Sequence, residues 1–432
     1  MRTRAIALSD PGAKRDVNED YQLSDPQLGL YVVCDGVSGQ LAGKHASQAC
    51  AEAIRRHVFE HKGLLEKYGK DRTLVARGQV TAMMHRAVEA ANREVRRLGA
   101  SDATLRGMAT TVVAVLVAHD HAILANVGDS RIYLVRAGRI HQLTEDHTVV
   151  AEMRRQGLWN EKEGEKSPFS STLTRAIGMQ DYVPVDVLQI ELVAGDRLIL
   201  CTDGLTAYVK PPELLELSQK IDIEKLTPDL IRLAKERGGH DNITIINLMI
   251  ESDMPRTDAL DALKKGEVLG KVPLFRYLTY PELLKVLSLV KVRDFKPLDI
   301  VIEEGTVGDE LFVVANGSIE ILKAGQPVAQ RGKGEFLGEI GFFNNIPRTA
   351  TVRATQAATV LAFSRKDLIS LLRKEPAIAV KFLWAMSQEL SYRINQTTRD
   401  LADARASTKP IEAARTLPDF ELPFVPENPR ET

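Results

Sequence analysis

Cysteine is scarce in this 432-residue chain, with only Cys34, Cys50 and Cys201. No two of them are spaced as a zinc pair, so a disulfide framework and a cysteine zinc site are both excluded, and a reducing compartment, the cytoplasm, is expected. An excess of either charge is also lacking: 57 Lys and Arg stand against 58 Asp and Glu, for a net charge of −1. Without a global field, neither nucleic acid nor a membrane surface is expected as a partner. The longest apolar run, Val112 to Ala118, falls far short of the ~20 residues a membrane helix needs. Met1-Arg2-Thr3-Arg4 is not followed by the apolar core of a signal peptide. No Gly-x-x-x-x-Gly-Lys-Ser/Thr loop occurs, so hydrolysis of a nucleoside triphosphate is not suggested.

What is present is ordinary globular composition, 44 % hydrophobic and 27 % charged, over a length that at about 150 residues per domain predicts two or three domains. Up to Ser252 amphipathic helices alternate with β-branched strands. Val80, Met83, Ala87, Ala91, Val95 and Leu98 recur at helical spacing and predict a core-facing helix over 79–98 that stops at Gly99. A second helix is predicted over 44–58. Strands follow over 110–118, 122–127 and 131–136, joined by turns too short for crossovers, so this part of the sheet is antiparallel. His119-Asp120-His121 falls between two of them and reads as a hairpin turn rather than a metal triplet. His45 and His57 lie on a helix without a partner at ligand spacing.

The expected fold class is α+β. An N-terminal α-β-β-α sandwich of two antiparallel sheets occupies 1–252 and a polar linker 253–271. A C-terminal β-roll with flanking helices spans 272–401, and a proline-rich mobile tail 402–432. The roll is read from turn residues that punctuate short strands between Val292 and Phe363.

Acidic residues recur where apolar strands end: Asp35 after Leu30 to Cys34, Asp129 after Ile123 to Gly128, and Asp203 after Leu198 to Thr202. Glu19, Asp20 and Asp241 lie in loops. Each alone reads as a turn dipeptide. Together, carboxylates gathered at one sheet edge would repel unless a cation neutralised them, and an oxygen-only donor set selects Mg²⁺ or Mn²⁺. A two-metal hydrolytic site follows, since such ions lower the pKa of a bridging water.

The ordered set Arg15 to Asp20, Asp35 to Gly39, Gly107 to Thr111, Asn126 to Arg131, Leu173 to Gly178, Thr202 to Leu205 and Gly238 to Asn242 resembles the type 2C metal-dependent Ser/Thr protein phosphatases over about Thr3 to Ile250. The resemblance implies a phosphorylated Ser/Thr protein as substrate and two, with Asp129 three, Mg²⁺ or Mn²⁺ ions. Asp35 would bridge two metals, with Asp203 and Asp241 on one and Glu19 and the Gly36 carbonyl on the other. Arg15 would clamp phosphate oxygens through its planar fork. Asn242 would orient the attacking water or a phosphate oxygen, and Asp20 would hold the ligands in place. The chain departs from relatives that carry a histidine in the motif after Asp35, having Val37, Ser38 and Gln40 there. The segment Asp146 to Ser171, with Glu161, Lys162, Glu163 and Glu165, resembles the family's flap near substrate.

In the C-terminal part, Gly334 to Val352 sets a glycine turn and a carboxylate before an arginine, a combination that on spacing alone reads as an anion site or as a glycine-rich loop with a surface salt bridge. With Pro273 to Phe275, Val301 to Gly305 and Gly308 to Gly317, it resembles the cyclic nucleotide-binding domain over about Val272 to Asn395. That resemblance implies that Arg348 pairs the cyclic phosphate and Glu339 the ribose hydroxyl. Gly338, Ile340 and Gly341 would surround the sugar-phosphate. Thr349 offers a hydroxyl that would suit guanine and that cAMP binders often share, so the resemblance implies cAMP or cGMP as ligand with the base left open, cAMP the mildly favoured one. Leu383, Met386, Leu390, Ile394 and Leu401 form a helical stripe that would cap the base, pair two subunits in a homodimer or pack on its own roll. The helices around Leu260 to Leu289 are the moving parts this arrangement offers. The competing reading is a cyclic-nucleotide-responsive scaffold with a weak or inactive phosphatase fold.

Overall fold

The computed structural model describes residues 2–37, 41–70, 77–160, 163–164, 167–169, 172–251, 269–344 and 346–407. The N-terminal part is built on two five-stranded antiparallel sheets. In the first, strand β1 (Arg2–Asp10) is followed by β10 (Ile243–Glu251), β9 (Arg197–Cys201), β6 (Arg131–Arg136) and β7 (Arg139–Gln142). The second runs β2 (Tyr21–Asp25), β3 (Leu30–Cys34), β4 (Val112–Ala118), β5 (His121–Val127) and β8 (Asp186–Glu191).

Alternation along each strand decides what packs where. Leu30, Val32 and Cys34 of β3 point to a core shared with helices, while Tyr31 and Val33 point into the core between the sheets. Strand β4 divides likewise, with Val112, Ala114 and Leu116 on the helix side and Val113 and Val115 between the sheets. Both faces being covered explains why 112–118 is the longest apolar run in the chain. Helices α1 (Leu41–Glu60) and α3 (Arg77–Ser101), with α2 (Lys62–Lys70) between them, cover the second sheet. Helices α6 (Pro211–Lys220) and α7 (Ile223–Glu236) cover the first through Leu214, Leu226, Leu230 and Ala234. The α-β-β-α sandwich is therefore observed. Helix α3 runs past Gly99 to Ser101, where Asp102 ends it by accepting from Thr104 N–H at 2.8 Å and starting a 3₁₀ turn. His119, at φ 59°, sits in the hairpin turn between β4 and β5.

The C-terminal part is a roll of two four-stranded antiparallel sheets. One is β11 (Lys291–Phe295), β18 (Ala358–Ser364), β13 (Glu310–Asn316) and β16 (Phe336–Leu337). The other is β12 (Ile300–Ile302), β17 (Thr351–Ala354), β14 (Ile319–Lys323) and β15 (Gln326–Arg331). Phe312, Val314, Ile319, Val352 and Val360 fill it. Helices α8 (Tyr280–Leu287), α10 (Arg365–Lys374) and α11 (Pro376–Ser407) pack outside, with Phe275 set against Phe363 and Phe382 at ring separations of 5.7 and 6.0 Å. Helix α8 opens on a capping box, in which Glu282 Oε2 accepts the Thr279 N–H at 2.7 Å.

Helix α11 extends to Ser407, so residues 402–407 of the expected tail are helical; 408–432 lie outside the described residues, as do 253–268 of the expected linker. Leu269 and Val272 are buried against the C-terminal helices, and Leu284 of α8 is buried in the inter-sheet core of the N-terminal sandwich. Among the described residues no helix is long and apolar enough to cross a membrane.

Candidate active site and nucleotide recess

The acidic residues found at strand ends in the sequence come together at one end of the sandwich. Asp35 follows β3, and its backbone is pinned to Thr111: its N–H donates to Thr111 Oγ1 at 3.1 Å and its carbonyl accepts the Thr111 N–H at 2.8 Å. Asp203 opens the short helix α5 (Asp203–Thr206) after β9. A Cβ on Gly204 would collide with the Asn242 carbonyl, so glycine lets the Asp203 and Asp241 loops touch. Gly36 likewise admits the Gly43 carbonyl of α1, and Gly43 in turn faces the Glu19 carboxylate. Asp129 follows Gly128, whose φ of 110° turns the chain after β5.

The electrostatics show how close these groups are. Burial pushes Asp35 well above the ordinary carboxylate range, and Asp20, Asp203, Asp129 and Asp241 push it further. Burial, then Asp241, raises Asp203. Burial raises Asp129 to about 7, with Asp203 and Asp146 adding to it. Asp20 is also raised to about 7, by burial first. Its Oδ2 accepts from Thr202 Oγ1 at 3.0 Å, whereas its Oδ1 is buried without a hydrogen-bond partner among the described residues. A cluster of carboxylates, Asp20 buried and Asp35, Asp129 and Asp203 partly buried, that resist ionisation together is a place for protons or for hard cations, and an all-oxygen donor set fits Mg²⁺ or Mn²⁺. Glu19 is buried beside it, its carbonyl held by Ser47 Oγ at 2.6 Å.

Arg15 reaches this cluster, Nη2 lying 3.0 Å from Asp241 Oδ2, and both side chains are about half exposed. Asn242 is placed differently from a residue turned toward substrate. Its Oδ1 accepts the Glu19 N–H at 2.8 Å and its Nδ2 donates to the Pro11 and Val17 carbonyls, both at 3.1 Å. Its amide therefore joins the loop bearing Arg15 and Glu19 to the loop bearing Asp241. Val37 is exposed, and Ser38 and Gln40 lie outside the described residues. In the flap segment, helix α4 (Val149–Arg155) is capped by Thr148, and Glu163 N–H donates to Asn160 Oδ1 at 3.0 Å. Glu161, Lys162 and Glu165 lie outside the described residues.

Several supports were not singled out from the sequence. Arg131 forks onto Asp146, Nε to Oδ1 at 2.9 Å and Nη2 to Oδ2 at 2.6 Å. His147 Nδ1 accepts the Gly128 N–H at 3.0 Å, which leaves its ring proton on Nε2, 3.0 Å from Asp186 Oδ2. Asp146-His147-Thr148, in the loop that leads into α4, was the available signal. His57 does have a partner at helical spacing, the ring of His61 stacked on it at 4.3 Å.

All six residues expected at the nucleotide, Gly338, Glu339, Ile340, Gly341, Arg348 and Thr349, line a single recess of about 110 Å³ in the roll. Arg348 is buried, which draws its pKa below the usual arginine value. Its Nη1 donates to the Gly338 carbonyl at 3.0 Å and its Nη2 to the Glu310 carbonyl at 2.7 Å. Glu339 opens the short helix α9 (Glu339–Asn344) and pairs with Arg393 of α11 at 3.1 Å. Arg393 also donates to the Phe336 carbonyl at 3.1 Å and lies 4.0 Å over the Phe336 ring. Arg393, which also lines the recess, carried no signal in the sequence beyond its place on an apolar helix.

A family model described as Protein phosphatase 2C matches residues 15–243, and one described as Cyclic nucleotide-binding domain matches residues 292–375. The serine/threonine phosphatase stp of Listeria monocytogenes serotype 4b is 34 % identical over 252 residues, 57 % of this chain and 94 % of the relative. Protein phosphatase PhpP of Streptococcus pneumoniae serotype 2 is 31 % identical over 242 residues, 55 % of this chain and 94 % of the relative. The crystal structure of the Mycobacterium tuberculosis serine/threonine phosphatase PstP/Ppp superposes with a TM-score of 0.52 at 31 % identity, covering 58 % of this chain and 100 % of its own. The catalytic domain of a serine/threonine protein phosphatase PstP in complex with 2 manganese ions superposes at 0.50, with 30 % identity over 58 % of this chain and 99 % of its own. The chain belongs to the protein phosphatase 2C family. It is a serine/threonine protein phosphatase, and its C-terminal part carries a cyclic nucleotide-binding domain.

Proposed function

We propose that the protein removes phosphate from phosphoserine and phosphothreonine in proteins, and that cyclic nucleotide bound in the C-terminal recess sets the rate. Residues 1–252 serve as the catalytic domain and 272–401 as the sensor. The observation that carries the catalytic reading is the gathering of Asp35, Asp129, Asp203 and Asp20 at one end of the sandwich, where burial first and neighbouring carboxylates second raise each of them.

In this reading Asp35, Asp203, Asp241, Glu19, the Gly36 carbonyl and Asp129 hold Mg²⁺ or Mn²⁺. Bound there, the ions supply Lewis-acid charge and a water acidic enough to act as a nucleophile near neutral pH. Arg15, beside Asp241 and half exposed, is placed to fork onto two oxygens of an incoming phosphate. Asn242 and Ser47 keep the Glu19 loop in register, and Arg131 with Asp146 braces the strand end next to Asp129. Departure of the serine or threonine alkoxide requires a proton, and with Val37 in the motif after Asp35 the donor is water rather than a histidine.

In the sensor, Arg348 receives the cyclic phosphate and Glu339 the ribose hydroxyl, with Thr349 at the base and cAMP the favoured ligand. Leu383, Leu390, Ile394 and Leu401 of α11 are exposed, whereas Met386 is buried in the domain's own core; the exposed row suits pairing of two copies.

The deciding assay follows phosphate release from a phosphothreonine peptide with Mn²⁺, with EDTA, and with cAMP or cGMP added in turn. Metal-dependent release that changes with one nucleotide is the expected result. No release in any condition would leave the scaffold reading in its place.

A further inference from the structure

We propose that helix α8 is the coupling element between the two sites, a wedge that closes the inter-sheet core of the phosphatase on one face and is clamped by the terminal helices of the sensor on the other. The inference rests on the regulated-phosphatase reading and assigns that regulation to a named element.

The two faces meet at Leu287, which packs on both cores. Tyr280 and Leu284, at i and i+4, belong to the phosphatase face. Leu284 is 6 % exposed within a core that includes Leu134, Leu188 and Leu198. The Tyr280 ring stacks on His141 of β7 with centroids 3.5 Å apart and planes 10° from parallel. On the other side Leu283 and Val286 are buried in the C-terminal core, the one that also holds Phe382 of α11. Two ion pairs fasten that side: Lys381 Nζ to Glu282 at 2.7 and 2.8 Å, and Lys285 Nζ to Glu375 Oε1 at 2.6 Å.

Each face leads to one of the sites. Helix α11 carries Lys381 and, about 18 Å further along its axis at 1.5 Å per residue, Arg393, which holds Glu339 in the nucleotide recess. A ligand that draws on Glu339 therefore acts on the helix that grips α8. On the phosphatase side α8 packs along β8. The first residue of β8, Asp186, is bonded to His147, and His147 takes the N–H of Gly128 next to Asp129. A shift of the terminal helices leaves α8 unable to satisfy both faces, because Leu284 and Tyr280 are locked into packed positions that allow only discrete arrangements. Differential binding of nucleotide to those arrangements is what the coupling requires.

The test uses the full chain and the double variant Lys285→Ala/Lys381→Ala, which cuts both clamps and touches neither site. Rates on a phosphothreonine peptide with Mn²⁺ are measured with and without cAMP or cGMP, nucleotide affinity is measured by calorimetry, and amide exchange is followed over 280–287. The expected result is a basal rate within about 2-fold and an affinity within about 3-fold of wild type, with the nucleotide response falling to about 1-fold. In the wild type, nucleotide should change exchange over 280–287. A double variant that keeps the full response, or a wild type whose rate responds while exchange over 280–287 stays the same, would overturn the role of α8 and leave the regulation standing. A wild type that binds nucleotide with no change in rate would overturn both.

Discussion

A Cβ on Gly338 would stand 2.7 Å from Arg348 Nη1, and Gly338 sits at φ 84°, where side chains are strained. The glycine lets the guanidinium lie against the turn and donate to its carbonyl at 3.0 Å. Gly338→Ala combines a strained backbone with a displaced arginine, so nucleotide affinity should fall by roughly tenfold or more. Calorimetric titration with cAMP and cGMP measures this. The Mn²⁺-dependent rate without nucleotide should stay as in the wild type.

Asp203→Asn removes one carboxylate from the acidic cluster while keeping its shape. Loss of even an outer-shell partner costs about 10–100-fold in metal affinity, so loss of a ligand should cost more than about 100-fold in turnover. Relief of repulsion should at the same time leave the metal-free variant at least as heat-stable as the wild type. An active Asp203→Asn enzyme would refute the metal role given to this residue.

The raised carboxylates also fix a sign for pH. Asp129 and Asp20 rise from 3.8 to about 7 in the folded chain. An acid that keeps its proton longer when folded stabilises the fold less as pH climbs through that window, because the unfolded chain has already released the proton. With EDTA, the melting temperature should therefore drop between about pH 4 and about pH 7 from these groups. Mn²⁺ should restore it at the higher pH, since metal takes the place of the protons and binds more tightly as they leave. Calorimetric scans with EDTA and with Mn²⁺ check both directions.

Two arginine–aspartate pairs should behave in opposite ways. Arg136 and Asp196 are 8 % and 1 % exposed, joined at 2.8 and 2.6 Å, and Asp196 also accepts the Val193 N–H at 2.7 Å. Asp196→Ala strands a buried guanidinium and should cost about 3–5 kcal/mol of stability. Arg15 and Asp241, about half exposed, contribute at most about 1 kcal/mol. Arg15→Ala should leave the melting temperature nearly unchanged and lower kcat/KM on a phosphopeptide.

The α+β class, the antiparallel strands over 110–136, the hairpin at His119 and the strand-end acids were legible because period-2 alternation, helical spacing and turn chemistry act over a few residues, whereas the pair of antiparallel sheets was implied by the family resemblance. The nucleotide cassette, one continuous stretch from Gly334 to Val352, was legible through its family resemblance, because its spacing alone reads as well as a glycine-rich loop with a surface salt bridge. Asn242 shows where this stops: the family resemblance implied that it orients the attacking water or a phosphate oxygen, but its amide is taken up by the Glu19 N–H and by two carbonyls, of Pro11 and Val17, from more than 200 residues away.

By itself the sequence determined the elements, their buried faces and the chemical types available to each site. The tertiary structure alone decided that Arg393 pairs with Glu339, that Asp146 braces Arg131, that His147 ties Gly128 to Asp186, and that Leu284 enters a core built from strands far earlier in the chain. Those contacts join residues with no local pattern in common. They depend on how whole sheets and helices stack once their apolar faces are buried, and only the packed chain specifies that geometry.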